Sequence, residues 1–179
     1  MATQGPNSPG TMADDATVGT VAWTTPDNAK VSDNVYATAG LDGGSSPTDT
    51  NVRIVKSDGT IGTTNKGTST ALPATDAYRS YGASSDLWGE TWTSADINDI
   101  DFGLVVSYTS SGIVSHYLKA TNFGFSIPAG ATINGIVAEI EANEDHPGFA
   151  YHPAVDHIRI TVYYTDAVTG NNLIALGVN

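Results

Sequence analysis

Two segments near the end of the chain alternate apolar and polar residues with a period of two, and nowhere does an apolar stripe recur at the helical period. In Ile133–Glu141, Ile136, Ala138 and Ile140 fall on one side, with Val137, Glu139 and Glu141 on the other. In His157–Tyr164, Ile158, Ile160, Val162 and Tyr164 share one side, with His157, Arg159, Thr161 and Tyr163 opposite. Period-two patterning places successive side chains on opposite faces of a strand, so each segment has one face to bury. Shorter runs repeat the signal at Val18–Trp23, Val52–Lys56, Tyr78–Gly82, Phe102–Tyr108 and Tyr117–Ile127, with Trp23 a core anchor.

Turn chemistry separates these runs. Thr25-Pro26-Asp27-Asn28 has Pro at the second turn position, and Ser57-Asp58-Gly59-Thr60 supplies the Asp-Gly of a tight hairpin. Residues 62–76 read as a Gly/Thr/Ser loop, and Thr93-Ser94-Ala95-Asp96 as the hydroxyl cap and carboxylate of one helical turn. One-sided strands spaced by turns predict an all-β fold, an antiparallel two-sheet β-sandwich of jelly-roll-like kind. At 179 residues the chain suits one domain. The expected organisation is a flexible N-terminal arm over residues 1–17, a sandwich over 18–165, and a C-terminal extension or edge strand over 166–179. The arm is rich in Pro, Gly, Ser and Thr, and the extension carries Leu173, Ile174, Leu176 and Val178.

The charge balance bears on partners. Nineteen Asp and Glu against seven Lys and Arg give a net charge of −12, with the basic residues scattered singly. Nucleic-acid binding needs clustered cations to displace counterions, so that partner class is excluded. With no cysteine, disulfides, thiolate metal sites and cysteine nucleophiles are excluded together. No apolar run reaches the length of a membrane span, and the first residues lack the basic start and apolar core of a signal peptide. The expectation is synthesis in a cytoplasm, with work in a virion or outside the cell following release by other means.

The residues Trp23–Ala29, Ser32–Thr38, Ser85–Trp92, Ala95–Asn98, Phe102-Gly103, Tyr117–Glu141 and Val155–Thr165 together resemble a family of jelly-roll-like β-sandwich proteins of tailed phages and prophages. The resemblance implies a non-enzymatic virion structural or assembly protein of a head, tail or fibre, with other virion proteins or further copies of itself as partners. The order of the phrases departs from the family pattern. There the Tyr117–Phe125 phrase follows the Tyr36-Ala37-Thr38 segment directly, whereas here residues 45–112 intervene. Moving residues 113–148 behind Gly44 restores the expected order, with seams after Gly44, Gly112 and Gly148, so the chain reads as a rewired form, natural or engineered.

His146, His152 and His157 lie near Glu144, Asp145 and Asp156, but their spacing matches no common zinc pattern, and they read as loop histidines without a metal, with His152 and His157 the weak candidates for a divalent cation. Asp96, Asp99 and Asp101 with Asn98 suggest a hard-cation loop but lack the glycine and terminal glutamate of an EF-hand. They read as cap and turn residues, with calcium the cation to test and no cofactor expected. No Gly-x-Ser-x-Gly elbow or phosphate loop is present, and the expectation is no enzyme. The contrasting reading is a carbohydrate- or receptor-binding module, for which Tyr81, Tyr151 and Tyr163 are the candidate exposed rings.

Overall fold

The computed structural model describes residues 1–145 and 150–167. The chain is an all-β, two-sheet antiparallel sandwich. Its longest strands are the two clearest alternators, β10 (Thr132–Asp145) and β11 (His152–Thr165), which pair along their whole length. One sheet runs β3 (Trp23–Thr24), β4 (Ala37–Ala39), β11, β10, β6 (Ala77–Ala83), and β1 (Ala2–Asn7) also joins β11. The second runs β2 (Thr11–Asp15), β9 (Tyr117–Thr121), β7 (Gly103–Ser110), β5 (Thr48–Val55), with β8 (Ile113–Val114) on β7.

The inward faces follow the alternation. Ile136, Ala138, Ile140, Ile158, Ile160 and Val162 of the first sheet face Val52, Ile54, Leu104, Val106 and Leu118 of the second. Trp23 and Trp88 are part of the same core, and Trp88 donates its indole N–H to the Ile136 carbonyl at 3.0 Å. Gly82 is required beside this contact. Its φ is +85°, and a Cβ there would lie 2.3 Å from the Ile136 oxygen and 2.8 Å from the Trp88 indole nitrogen. The helical turn is α1 (Ser94–Asn98), held by a reciprocal capping box between Thr93 and Asp96.

Several expectations are corrected. Residues 1–17 are not an arm: β1 pairs with β11 and β2 with β9, because a polar strand at a sheet edge needs only backbone partners. The predicted Val18–Trp23 strand shrinks to Trp23–Thr24, with Val21 making a single bridge to Ser115. The Tyr117–Ile127 strand stops at Thr121, because Asn122 takes a φ of +59° and the chain crosses there to the other sheet. The C-terminal apolar residues 173–178 and the seam at Gly148 lie outside the described residues.

Residues 44 and 113 would have to be far apart to defeat the rewired reading. They are close: the Ser45 hydroxyl lies 3.0 Å from that of Ser111, and Ile113 pairs with Ser110. His152, at the start of β11, bonds Asp42 at 3.0 Å, so the loops at 42–45 and 110–113 and the start of β11 gather at one end of the sandwich.

Candidate functional site

Two polar clusters stand out against the apolar core, one between the sheets and one on the outer face of the β11–β10–β6 sheet. The inner one centres on Asp49 of β5, which has no exposed surface. Burying a carboxylate is costly unless donors replace its water. Asp49 receives them from the Arg79 guanidinium (3.1 Å), the Tyr81 hydroxyl (2.8 Å), the Thr68 amide (3.1 Å) and hydroxyl (3.0 Å), and the Thr70 amide (3.0 Å). Arg79 also donates to the carbonyls of Thr70 and Ala71, stitching β6 to the chain that follows β5. Burial pushes both the Tyr81 and Tyr108 hydroxyls far above the ordinary tyrosine range, and the Asp49 charge adds to it.

Next to this cluster a cavity of about 230 Å³ opens between the sheets, lined by Leu72, Pro73, Tyr81, Tyr108, Ile140 and Ala142 among others. It lies beside β6, which pairs only with β10 among the described residues. The wall is mostly apolar, with three tyrosines and one guanidinium, a composition suited to an apolar side chain rather than to a charged substrate.

The outer cluster centres on His157, 8% exposed. Its Nε2 lies 2.9 Å from the Ser8 hydroxyl and its Nδ1 2.8 Å from that of Tyr78. Burial, and secondarily the Arg159 charge, lower its pKa below the usual value, so the ring is neutral at pH 7 and one hydroxyl donates to it while the other accepts. Arg159 lies 3.8 Å over the Tyr78 ring and is held by two bonds to Glu139. A serine and histidine at this distance superficially match a nucleophile and base. The group on Nδ1, however, is a phenol rather than a carboxylate, and the contact serves to pin the turn after β1 to the sheet.

Beyond His157 the cluster turns acidic. A bulge in the β10–β11 register, where Glu141 faces His157 and Ala142 faces Val155, leaves Asp156 as the extra residue, 2% exposed and beside Glu141 on the outer face. Asp156 accepts the Asp33 amide, and its pKa is raised first by burial and then by Glu141 and Asp76. Asp76 accepts the Tyr36 hydroxyl at 2.6 Å, which with burial pushes that phenol up to about 12. Asp76 Oδ1, Glu141 Oε2 and Asn143 Oδ1 are buried without a hydrogen-bond partner among the described residues.

Comparison with protein-family models, with curated proteins and with solved structures finds no match.

The residues singled out in the sequence are dispersed. Asp96 serves the α1 cap and accepts the Ser57 hydroxyl, Asp99 accepts the Asp101 amide, and Asp101 is exposed. His152 bonds Asp42, well along β11 from His157, and His146 lies outside the described residues. Among the described residues no three His, Asp or Glu side chains form a metal-binding group. Tyr81 is not an exposed ring: it is 4% exposed, turned inward by the β6 alternation to meet Asp49. Tyr163 is half-buried on the outer face of β11, and Tyr151 is half-buried just before that strand, so the three tyrosines make no common platform.

Sequence reasoning missed Asp49 and took Asp156 only as a neighbour of the histidines, and both sit at register shifts, Asp49 beside the β5–β7 irregularity and Asp156 in the β11 bulge. Strict alternation assigns the wrong face at such points. For Asp156 the available clue was a carboxylate inside the strand-forming run Val155–Thr165. No helix among the described residues is long and apolar enough to cross a membrane.

Proposed function

We propose that this chain is a non-enzymatic virion structural protein of the tailed-phage kind, a β-sandwich that acts through protein–protein contacts in a head, tail or fibre. The observation that carries the reading is the unequal treatment of two of the four sheet edges, those of β5 and β6. Residues 61–72 run along β5 and satisfy its edge with four backbone bonds, from Gly62 to Ile54, Lys66 to Val52, Ser69 to Asp49 and Leu72 to Pro47. Asn65 fills a gap as a side-chain strand mimic, accepting the Val52 amide and donating to the Thr50 carbonyl. No comparable cover lies on β6 among the described residues, and an apolar cavity adjoins it. Soluble monomers blunt their edges, and an edge left open beside an apolar recess suits strand addition by a partner.

The resemblance in the sequence points the same way, and the nearness of the loops at 42–45 and 110–113 is compatible with a rewired member of that group. The glycan-binding reading loses one of its three candidate rings with the burial of Tyr81. The test is the solution mass by light scattering across a concentration series, with and without calcium. A discrete oligomer or a growing assembly is expected. A monomer throughout, which also fails to bind any other component of a virion, would overturn the reading.

A further inference from the structure

We propose that the open edge of β6 takes, as an added antiparallel strand, the C-terminal segment 172–179 of a second copy of the chain, so that copies join head to tail. The inference rests on the assembly reading above and names its surface and its partner.

The receiving side is defined by β6 itself. Ala77, Arg79 and Tyr81 face inward toward the cavity, in register with Ala142, Ile140 and Ala138 of β10, while Ser80 faces outward beside Glu139. A strand added to this edge presents every second side chain to the cavity mouth. The segment Asn172-Leu-Ile-Ala-Leu-Gly-Val-Asn179 carries Ile174, Leu176 and Val178 at such spacing, separated by the small residues Ala175 and Gly177. Running antiparallel to β6 with Ile174 opposite Tyr81, it sets Leu176 opposite Arg79 and Val178 opposite Ala77. The three apolar side chains then meet a wall that includes Leu72, Pro73, Ile140 and Ala142. Residues 168–179 carry no charged side chain, so the segment can approach a chain of net charge −12 without adding to the repulsion.

The supplying end is set by where the described chain stops. β11 ends at Thr165, and Ala167 lies against Gly130 in the crossing between β9 and β10. The free side of β6 lies beyond β10 in the same sheet, about 14 Å away at roughly 4.8 Å per strand. The direct route is occupied at that end. The chain leaving β6 folds back over β10, where the Asp86 carbonyl accepts the Ile136 amide and Trp88 enters the core. The tail of a neighbouring copy need not take that route. The surfaces joined are different patches of the molecule, so the contact is heterologous and propagates unless the rotation between copies closes a ring.

The chain has no cysteine, which makes a disulfide trap clean. Ser80→Cys and Ala175→Cys, which the register places opposite one another, are made as separate full-length variants, with Gly177→Cys covering a shift by one pair. Oxidising a mixture of the Ser80 and Ala175 or Gly177 variants is expected to give a covalent heterodimer well above the homodimer formed by either variant alone. No heterodimer with either probe, or, in a further variant carrying both Ser80→Cys and Ala175→Cys, a bond that closes only within one chain, would overturn the inference. Leu176→Asp gives a second reading, with loss of the concentration-dependent mass expected in light scattering. If mass still grows in that variant and the trap stays empty, the tail is excluded while the assembly reading stands on another surface.

Discussion

Asp49 and Asp156 are two carboxylates that the fold has taken out of water, one between the sheets and one on the outer face, and they have been treated in opposite ways. Asp49 lies among donors: a guanidinium, a phenol, a hydroxyl and two amides converge on it. Asp156 lies among acceptors, with Glu141 and Asp76 close enough to raise its pKa and oxygens of Asp76, Glu141 and Asn143 left without partners among the described residues. A buried charge with a full set of donors acts as a structural bolt; one crowded by like charges is held in place by the rest of the fold. The first should be costly to remove and the second should be an improvement.

The largest effect is expected from Asp49→Ala. It leaves the Arg79 charge and the Tyr81 hydroxyl facing a hole between the sheets, and it frees the strap that covers β5. Breaking one partner of a buried pair costs about 3–5 kcal/mol. Arg79 retains some contact with water, which places the expectation at the lower end. Urea denaturation measures the loss, and hydrogen exchange should show the Thr68 and Thr70 amides losing protection first. A change of a few tenths of a kcal/mol would mean that Asp49 is not the bolt.

How much of this was legible in the sequence follows from what each feature depends on. The β10 and β11 alternation specified the long strands and their inward faces, because a period-two apolar pattern has one way to bury itself. The Thr93–Asp96 capping box was equally local and equally readable. The strands of the first fifteen residues were not, since Ala2–Asn7 and Thr11–Asp15 have almost nothing to bury and are held by backbone pairing to β11 and β9. The same holds for the strap at 61–72, whose Gly, Thr and Asn look like a loop and whose order comes from the β5 edge it covers. Both carboxylate clusters depend on residues brought from four or more separate segments, and a single sequence read along its length does not display that.

An intermediate effect is expected from Tyr78→Phe, which keeps the ring under the Arg159 guanidinium and removes only the hydroxyl on His157 Nδ1. Loss of a hydrogen bond of this kind costs about 1 kcal/mol. The pH dependence carries more information. His157 has a folded pKa below its unfolded value, so the native state binds fewer protons, and its contribution is present above pH 6.5 and lost as the pH falls through the folded value. Stability measured between pH 7.5 and 5 should therefore fall with acidification, and an NMR titration of the His157 ring should place its midpoint below 6.5. A midpoint above 6.5 would mean that the Glu141 and Asp156 charges outweigh burial and would reverse that slope.

The smallest effect is expected from Asp156→Asn, and it carries the opposite sign. The amide oxygen can still accept the Asp33 N–H, while the charge that Glu141 and Asp76 repel is removed. Because the folded pKa of Asp156 is raised, the native state binds the proton more readily than the unfolded chain. The group's contribution is most favourable below the unfolded value near 3.8 and is lost as the pH rises through the folded value. At pH 7 the substitution should therefore stabilise the protein, by less than the roughly 1 kcal/mol by which an average point substitution destabilises one. At pH 3 the variant and the parent should denature at the same urea concentration, since both then carry a neutral group there. Destabilisation at pH 7 would show that the carboxylate's bonds to the 33–34 turn outweigh the repulsion, and Asp156 would then belong with Asp49 as a bolt.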